Sequence, residues 1–221
     1  KSDNTLWAWG NNENGTLADN TEVSRSSPTQ IPGTTWAIGS NGKHAVWTKT
    51  DGTLWSWGRN QYGQLGLNNK TTYSSPVQVG SDTTWPTSNS GGMKIATSMT
   101  YHNTSAIKTD GTLWSWGYGG QGMNGQSNNT YYSSPIQIPG TTWKSVAIGR
   151  ATKFATKTNG TLWSWGYGQW GALGINSRST FQSPKQVPGT TWASVSGAKD
   201  TTFATKTDGT LWAWGIICII T

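Results

Sequence analysis

The chain has 221 residues, of which only 11% are charged; it carries 29 glycines, 16 tryptophans and a formal net charge of +7. Its wealth of glycine, threonine, serine and asparagine excludes a protein of long helices, and a single cysteine, Cys218, excludes a disulfide framework or a thiolate metal site. No apolar stretch approaches the ~20 residues of a membrane helix, no signal peptide begins at Lys1, and the basic residues are scattered without a run or an arginine-aromatic cluster, which speaks against a specific nucleic-acid surface.

The first recognisable element is Thr5-Leu6-Trp7-Ala8-Trp9-Gly10. The same motif, Thr-Leu-Trp-(Ser/Ala)-Trp-Gly, returns with its leucine at Leu54, Leu113, Leu162 and Leu211, at intervals of 48, 59, 49 and 49 residues. A period near 49 residues is that of a propeller blade. Fourteen of the 16 tryptophans fall in register: five Trp-x-Trp pairs, and Trp36, Trp85, Trp143 and Trp192 after Thr-Thr. In an extended segment the two tryptophans of a pair share one face and Leu with Ser/Ala shares the other, so large groups should meet one neighbouring sheet and small groups the opposite one.

Each copy reads as four short strands. Pro28-Thr29-Gln30-Ile31, Pro76-Val77-Gln78-Val79, Pro135-Ile136-Gln137-Ile138 and Pro184-Lys185-Gln186-Val187 predict strands with proline as the first residue. A strand follows each Thr-Thr-Trp, as in Trp143 to Ile148. Asp51-Gly52, Asp110-Gly111, Asn159-Gly160 and Asp208-Gly209 then predict two-residue type I′ hairpin turns into the Trp-x-Trp strand. After it comes a glycine-rich loop, best formed from Gly58 to Leu67. The fold expected is all-β: one propeller-type domain over residues 1–221, with four blades plus a partial one and repeats beginning near 6, 54, 113, 162 and 211.

Thr50 to Gly66, Thr-Asp-Gly-Thr-Leu-Trp-Ser-Trp-Gly-Arg-Asn-Gln-Tyr-Gly-Gln-Leu-Gly, resembles the repeat of the regulator-of-chromosome-condensation propeller family. The likeness covers essentially the whole chain. Gly15-Thr16-Leu17-Ala18 and Gly122-Met123-Asn124-Gly125 depart from Gly-Gln-Leu-Gly, while Gly171-Ala172-Leu173-Gly174 nearly keeps it. The resemblance implies a ring of seven blades, about 350 residues at this period, a packing role for the histidine at His44, and partner binding. The family's namesake promotes nucleotide exchange on a small GTPase, and other relatives resemble secreted protease- or lactamase-blocking binders. Because the Lys1-to-Gly10 strand repeats as Lys206 to Gly215, one copy is surplus in a four-blade ring, and an unpaired edge seeks another strand. The expectation is an arc completed by further blades, from a second copy or from sequence outside this chain, with the apolar tail Ile216 to Ile220 buried or strand-paired.

Chemistry is sparse. The only histidines are His44 and His102, no two carboxylates are placed to flank a bond, and there is no phosphate-binding Gly-x-x-x-x-Gly-Lys-(Ser/Thr), metal cluster or cofactor motif. No enzyme activity and no cofactor are expected. Function is expected in two sets of residues on loops. The second repeat is ten residues longer than the 49-residue norm, an insertion over 86–103 carrying Met93, Lys94, Met99, Tyr101 and His102. Tyr62, Tyr118, Tyr167 and Trp170 follow the Trp-Gly strands and suggest an aromatic ring on one face. The readings that follow are a scaffold for protein interaction or structural assembly, and alternatively a glycan-binding module that stacks sugars on those aromatics. A GTPase-exchange or inhibitory binder is the third. The uncharged polar surface resembles extracellular or virion-surface proteins.

Overall fold

The structure, a computed structural model, describes residues 1–198 and 200–216. Seventeen strands among them form five antiparallel sheets in sequence order. Blade 1 holds β1 (Trp7–Gly10) and β2 (Arg25–Gln30). Blade 2 holds β3 (Trp36–Asn41), β4 (His44–Lys49), β5 (Leu54–Gly58) and β6 (Tyr73–Gln78). Blade 3 holds β7 (Ile95–Thr97), β8 (Asn103–Ile107), β9 (Leu113–Gly117) and β10 (Tyr132–Ile138). Blade 4 holds β11 (Trp143–Ile148), β12 (Thr152–Lys157), β13 (Leu162–Gly166) and β14 (Phe181–Val187). Blade 5 holds β15 (Trp192–Gly197), β16 (Thr201–Lys206) and β17 (Leu211–Gly215). That is the strand content of four blades plus one strand, with three sheets complete and the two end sheets holding two and three strands.

The core lies between sheets, and the period-2 pattern of the Trp-x-Trp strand explains why. Leu54, Val46 and Val79 of blade 2 meet Trp85, Ile95, Ala106 and Trp116 of blade 3. Ile107, Leu113 and Ile138 of blade 3 then meet Trp143, Val146, Ala155 and Trp165 of blade 4. In four of the five pairs the second tryptophan also reaches back with its indole N–H. Trp57 donates to Thr16 O, Trp116 to Gln64 O, Trp165 to Met123 O and Trp214 to Ala172 O. Burying an indole while satisfying its one donor lets a tryptophan fill a core without an orphaned polar group. In four of the five pairs the first tryptophan (Trp55, Trp114, Trp163 and Trp212) meets the Thr-Thr-Trp of its own blade edge-on, at 6.0–6.4 Å between ring centres. Lys49, Lys108, Lys157 and Lys206 each lie over such an indole pair, within 3.8–5.2 Å of the ring centres. These once-per-repeat lysines are therefore spent on cation–π contacts inside the blades, each worth about 0.5–1 kcal/mol near the surface.

One turn and one strand feature differ from the sequence expectation. In the hairpins only the glycine has positive φ (Gly52, 79°; Gly111, 79°; Gly160, 77°; Gly209, 85°), and Gly52 N donates to Lys49 O while Lys49 N donates to Thr53 O. This is a three-residue type I turn closed by a left-handed glycine, not a type I′ turn. The Asp51 carboxylate selects it by accepting from both Thr53 N (3.0 Å) and Thr53 Oγ1 (2.7 Å), and that hydroxyl in turn accepts from Trp55 Nε1 at 2.8 Å. Replacing Asp51 with Ala should lower stability by about 1 kcal/mol, read as a shift in urea midpoint at unchanged slope. Hydrogen bonds from Thr53 hold the Asp51 carboxyl below its ordinary value, so the contribution persists down to pH 3.8 and fades only below it.

The prolines are the second correction. Pro28, Pro76, Pro135 and Pro184 stand fourth in β2, β6, β10 and β14, inside register irregularities such as that between Tyr132 and Ile136. On the outer strand of a blade, within a bulge, the missing N–H leaves no partner unsatisfied.

The long insertion is also divided. Val146 follows Trp143 by three positions, but its counterpart Ile95 follows Trp85 by ten, so most of the excess precedes β7. Because β7 itself lies inside 86–103, Met93 and Lys94 emerge at one end of the blade and Met99, Tyr101 and His102 at the other.

The outer faces of the end sheets differ from their internal equivalents. Leu211 is 68% exposed where Leu54, Leu113 and Leu162 are fully buried, and Trp9 is 61% exposed where Trp57, Trp116 and Trp165 are buried. Of the tail expected to be buried or paired, residues 217–221 lie outside the described residues.

Candidate interaction site

In a blade whose strands alternate in direction, the loop between the first and second strands and the loop between the third and fourth emerge at the same end. At that end the expected aromatics of blades 2 and 3 converge. Tyr62 stacks on His102 at 5.4 Å and 17°, and meets Tyr118 and Tyr131 edge-on at 5.4 and 5.6 Å. Tyr118 in turn meets Tyr131 at 4.9 Å and Tyr101 at 5.3 Å. Tyr131 is exposed and Tyr62, Tyr101 and Tyr118 are half-buried. Burial, followed by the neighbouring Tyr131, pushes the Tyr118 phenol above its ordinary value.

Tyr101 links this patch to a cleft of 240 Å³ between blades 3, 4 and 5, which also contains Tyr167 and Trp170. The six residues Tyr62, Tyr101, His102, Tyr118, Tyr167 and Trp170 therefore share one end of the molecule. Met99, 67% exposed, stands at the same end beside Ile148, Gly149 and Ala198. Met93 and Lys94 do not join them: at the other end, Lys94 Nζ donates to Lys144 O and lines a separate hollow with Pro86 and Asp110. Reading 86–103 as one insertion grouped residues that β7 holds a strand-length apart.

The loops after the Trp-x-Trp strands come in two forms, which differ at the second position after the Trp-Gly glycine: asparagine in one, glycine in the other. In blades 1 and 2 Asn12 and Asn60 clamp the loop: the Asn60 side chain donates to Asn69 O and Thr71 O and accepts from Leu65 N. Blades 3 and 4 have Gly119 and Gly168 there, and an added Cβ would fall 1.8 Å from Thr130 O and from Ser179 O. The neighbouring chain occupies the place of the asparagine. The freed loops form single 3₁₀ turns at Gly120–Gly122 and Gln169–Gly171, in which Gln121 (φ 62°) and Trp170 (φ 63°) adopt left-handed backbone. A bulky residue in that region is uncommon and carries strain, and both side chains line the same cleft. The sequence signal for this was the Asn-to-Gly exchange together with Trp170's place outside the tryptophan register; Tyr131, Gln121, Arg150, Gln169 and Asp200 gave no signal of their own.

The histidines are quiet. His44 is fully buried, pairs through Nε2 with the Thr104 hydroxyl at 2.8 Å, and is pushed down to about 3 by burial and then by His102. His102 falls to about 4 through burial and then Arg59 and Lys43. Among the described residues neither has a carboxylate partner, and no three His, Cys, Asp or Glu side chains gather as a metal site. Among the described residues no helix is long and apolar enough to cross a membrane.

Successive four-stranded antiparallel sheets stacked face to face, with loops collected at one end, define a β-propeller repeat protein. The chain belongs to the regulator of chromosome condensation (RCC1) repeat family, whose model matches residues 3–43, 51–93 and 159–205. Solved structures agree on the fold. Human WBSCR16 superposes with a TM-score of 0.76 at 22% identity, over 95% of this chain and 56% of that one. Yeast RCC1 (Prp20) bound to Kap60 gives 0.75 at 20% identity, over 95% and 52%. Prp20p from Saccharomyces cerevisiae, a structure reported with its binding properties to Gsp1p and histones, gives 0.74 at 19%, over 95% and 53%. The chain thus spans about half the length of these proteins. No curated protein matches it.

Proposed function

We propose that this chain is a non-enzymatic, partner-binding section of a propeller, and that a protein docks on the aromatic loop end. The observation that carries this reading is the continuous aromatic surface from Tyr62 through Tyr118 and Tyr131 to Tyr101, set on rigid sheets. Tyrosine and tryptophan dominate the energetics of protein interfaces, since they offer large area for little lost conformational freedom. A photo-crosslinking amino acid placed at Tyr131 should capture a discrete protein partner in cells, and the same group at Met93, at the opposite end, should not. Equal capture at both positions, or none at Tyr131, would remove the proposal.

A second reading is favoured by the neighbours: Prp20p was studied for binding Gsp1p and histones, and an exchange-factor-like role for this chain follows from that likeness. Adding the chain to Gsp1p loaded with a fluorescent nucleotide tests it, and unchanged nucleotide release retires it. We further propose that the exposed faces around Trp9 and Leu211 are covered by further blades, from a second copy or from additional sequence; native mass measurement distinguishes the two. An extracellular or virion-surface location is supported only by the low charge and uncharged polar composition.

A further inference from the structure

The cleft beside Trp170 has a chemistry of its own. Trp170 is 49% exposed at its rim, although 14 of the other 15 tryptophans belong to the blade repeat. Its walls bring together a guanidinium (Arg150), a carboxylate (Asp200) and two carboxamides (Gln121 and Gln169), with Tyr167 alongside. These groups come from three different blades. The frame that positions them is stiff: Arg150 N donates to Ala198 O at 3.1 Å, Tyr167 N to Ala151 O at 2.8 Å, and Ala172 O, two residues past Trp170, accepts from both Thr202 Oγ1 and Trp214 Nε1. The backbone strain at Gln121 and Trp170 is thus held by surrounding structure.

Size, sign and donor pattern restrict what fits. A volume of 240 Å³ is below the roughly 300–1,000 Å³ of sites for larger ligands, so one ring-sized unit is accommodated. Among the described residues lining the cleft one cation, Arg150, balances one anion, Asp200, so net charge favours neither an anion nor a cation and a neutral ligand fits. Planar side chains offering both donors and acceptors match groups that donate and accept at once, as adjacent hydroxyls do. An exposed indole supplies a flat apolar platform for the C–H face of a ring. We propose that this cleft is a saccharide-binding subsite that takes a single neutral pyranose unit, stacked on Trp170 and hydrogen-bonded by Arg150, Asp200, Gln121 and Gln169. The inference goes beyond the protein-docking role and does not rest on it.

Saturation-transfer NMR of the whole chain with the methyl pyranosides of glucose, galactose, mannose and N-acetylglucosamine provides the test, with an arginine-rich peptide as the competing probe. At least one glycoside should show transfer to its ring C–H protons. Trp170→Gln should weaken that binding at least tenfold. Glutamine already occupies the equivalent left-handed position at Gln121, so this variant keeps the loop conformation, and an unchanged near-UV circular dichroism spectrum verifies the fold. Asp200→Asn should weaken binding several-fold, and Met93→Ala should leave it unchanged. The proposal is overturned if no glycoside binds at millimolar concentration, if transfer survives Trp170→Gln, or if only the peptide binds. Loss of crosslinking at Tyr131 would bear on the protein-docking role and leave this result intact.

Discussion

Trp165→Ala is expected to lower the stability of the monomeric 221-residue chain by about 3–5 kcal/mol, the range for emptying a large buried aromatic site, whereas Trp9→Ala should change it by less than about 0.5 kcal/mol in that monomer. The two residues hold the same place in the repeat. Trp165 is fully buried against Ile107, Leu113 and Ile138 of the preceding blade and gives its N–H to Met123 O. Trp9, 61% exposed, has no preceding sheet against it in this structure. Equilibrium urea unfolding of both variants measures the contrast. Equal losses at the two positions would mean that the tryptophans act within their own sheet, and stacking between sheets would no longer explain the stability of the fold.

The second large effect concerns Lys153, which is fully buried and, among the described residues, has no carboxylate beside it. Its ammonium position is hydrogen-bonded to the hydroxyls of Ser105 and Ser115 on the preceding blade, and Ser115 in turn donates to Asn124 Oδ1 at 2.9 Å. The local exchanges that make this nest are visible by register. Ser105 stands where blade 2 has Val46, Asn124 where other loops have Leu17, Leu65 and Leu173, and Lys153 where blades 3 and 5 have Thr104 and Thr202. Burial pushes the lysine well below its usual value, so folding favours its neutral amine form.

In the window between that lowered value and 10.5 the unfolded chain binds a proton that the folded chain does not. Stability therefore rises with pH across the window, up to about tenfold in the folding equilibrium per pH unit, and levels off above 10.5. The double variant Lys153→Met with Ser105→Val removes the amine and the one hydroxyl that depends on it. It should be more stable than the parent by about 1–4 kcal/mol at pH 7, as when buried polar groups yield to apolar ones of similar volume. It should also lose the alkaline rise in stability. Chemical denaturation at pH 7, 8, 9 and 10 reads both effects, and a parent chain whose stability is flat over that range would contradict a neutral buried lysine. On the acid side His44 and His102, held down to about 3 and about 4, act in the same direction: stability declines as pH falls below 6.5.

Much of the architecture was written in local chemistry. The Trp-x-Trp strands, the Asp-Gly and Asn-Gly turns and the 49-residue period specify strands, hairpins and stacking order, because period-2 alternation puts the indoles on one face and Leu with Ser/Ala on the other whatever the surroundings. The likeness from Thr50 to Gly66 was enough to place the chain in its family. Turn type was less legible. The Asp51 side chain bonds Thr53 and selects a type I turn with a left-handed glycine, a preference that the Asp-Gly pair alone does not distinguish from type I′.

What only the tertiary structure decided is which loops meet. Tyr62 and Tyr118 are 56 positions apart, yet their rings lie 5.4 Å apart because consecutive blades place equivalent loops side by side. Met93 and Met99 are six positions apart and stand at opposite ends, since β7 runs between them. Arg150, Gln121 and Asp200 carry no motif, and they share a cleft only through the stacking of three blades. Local sequence sets the conformation of each strand and turn; the register between sheets, fixed by apolar burial over the whole stack, sets the neighbours of every loop.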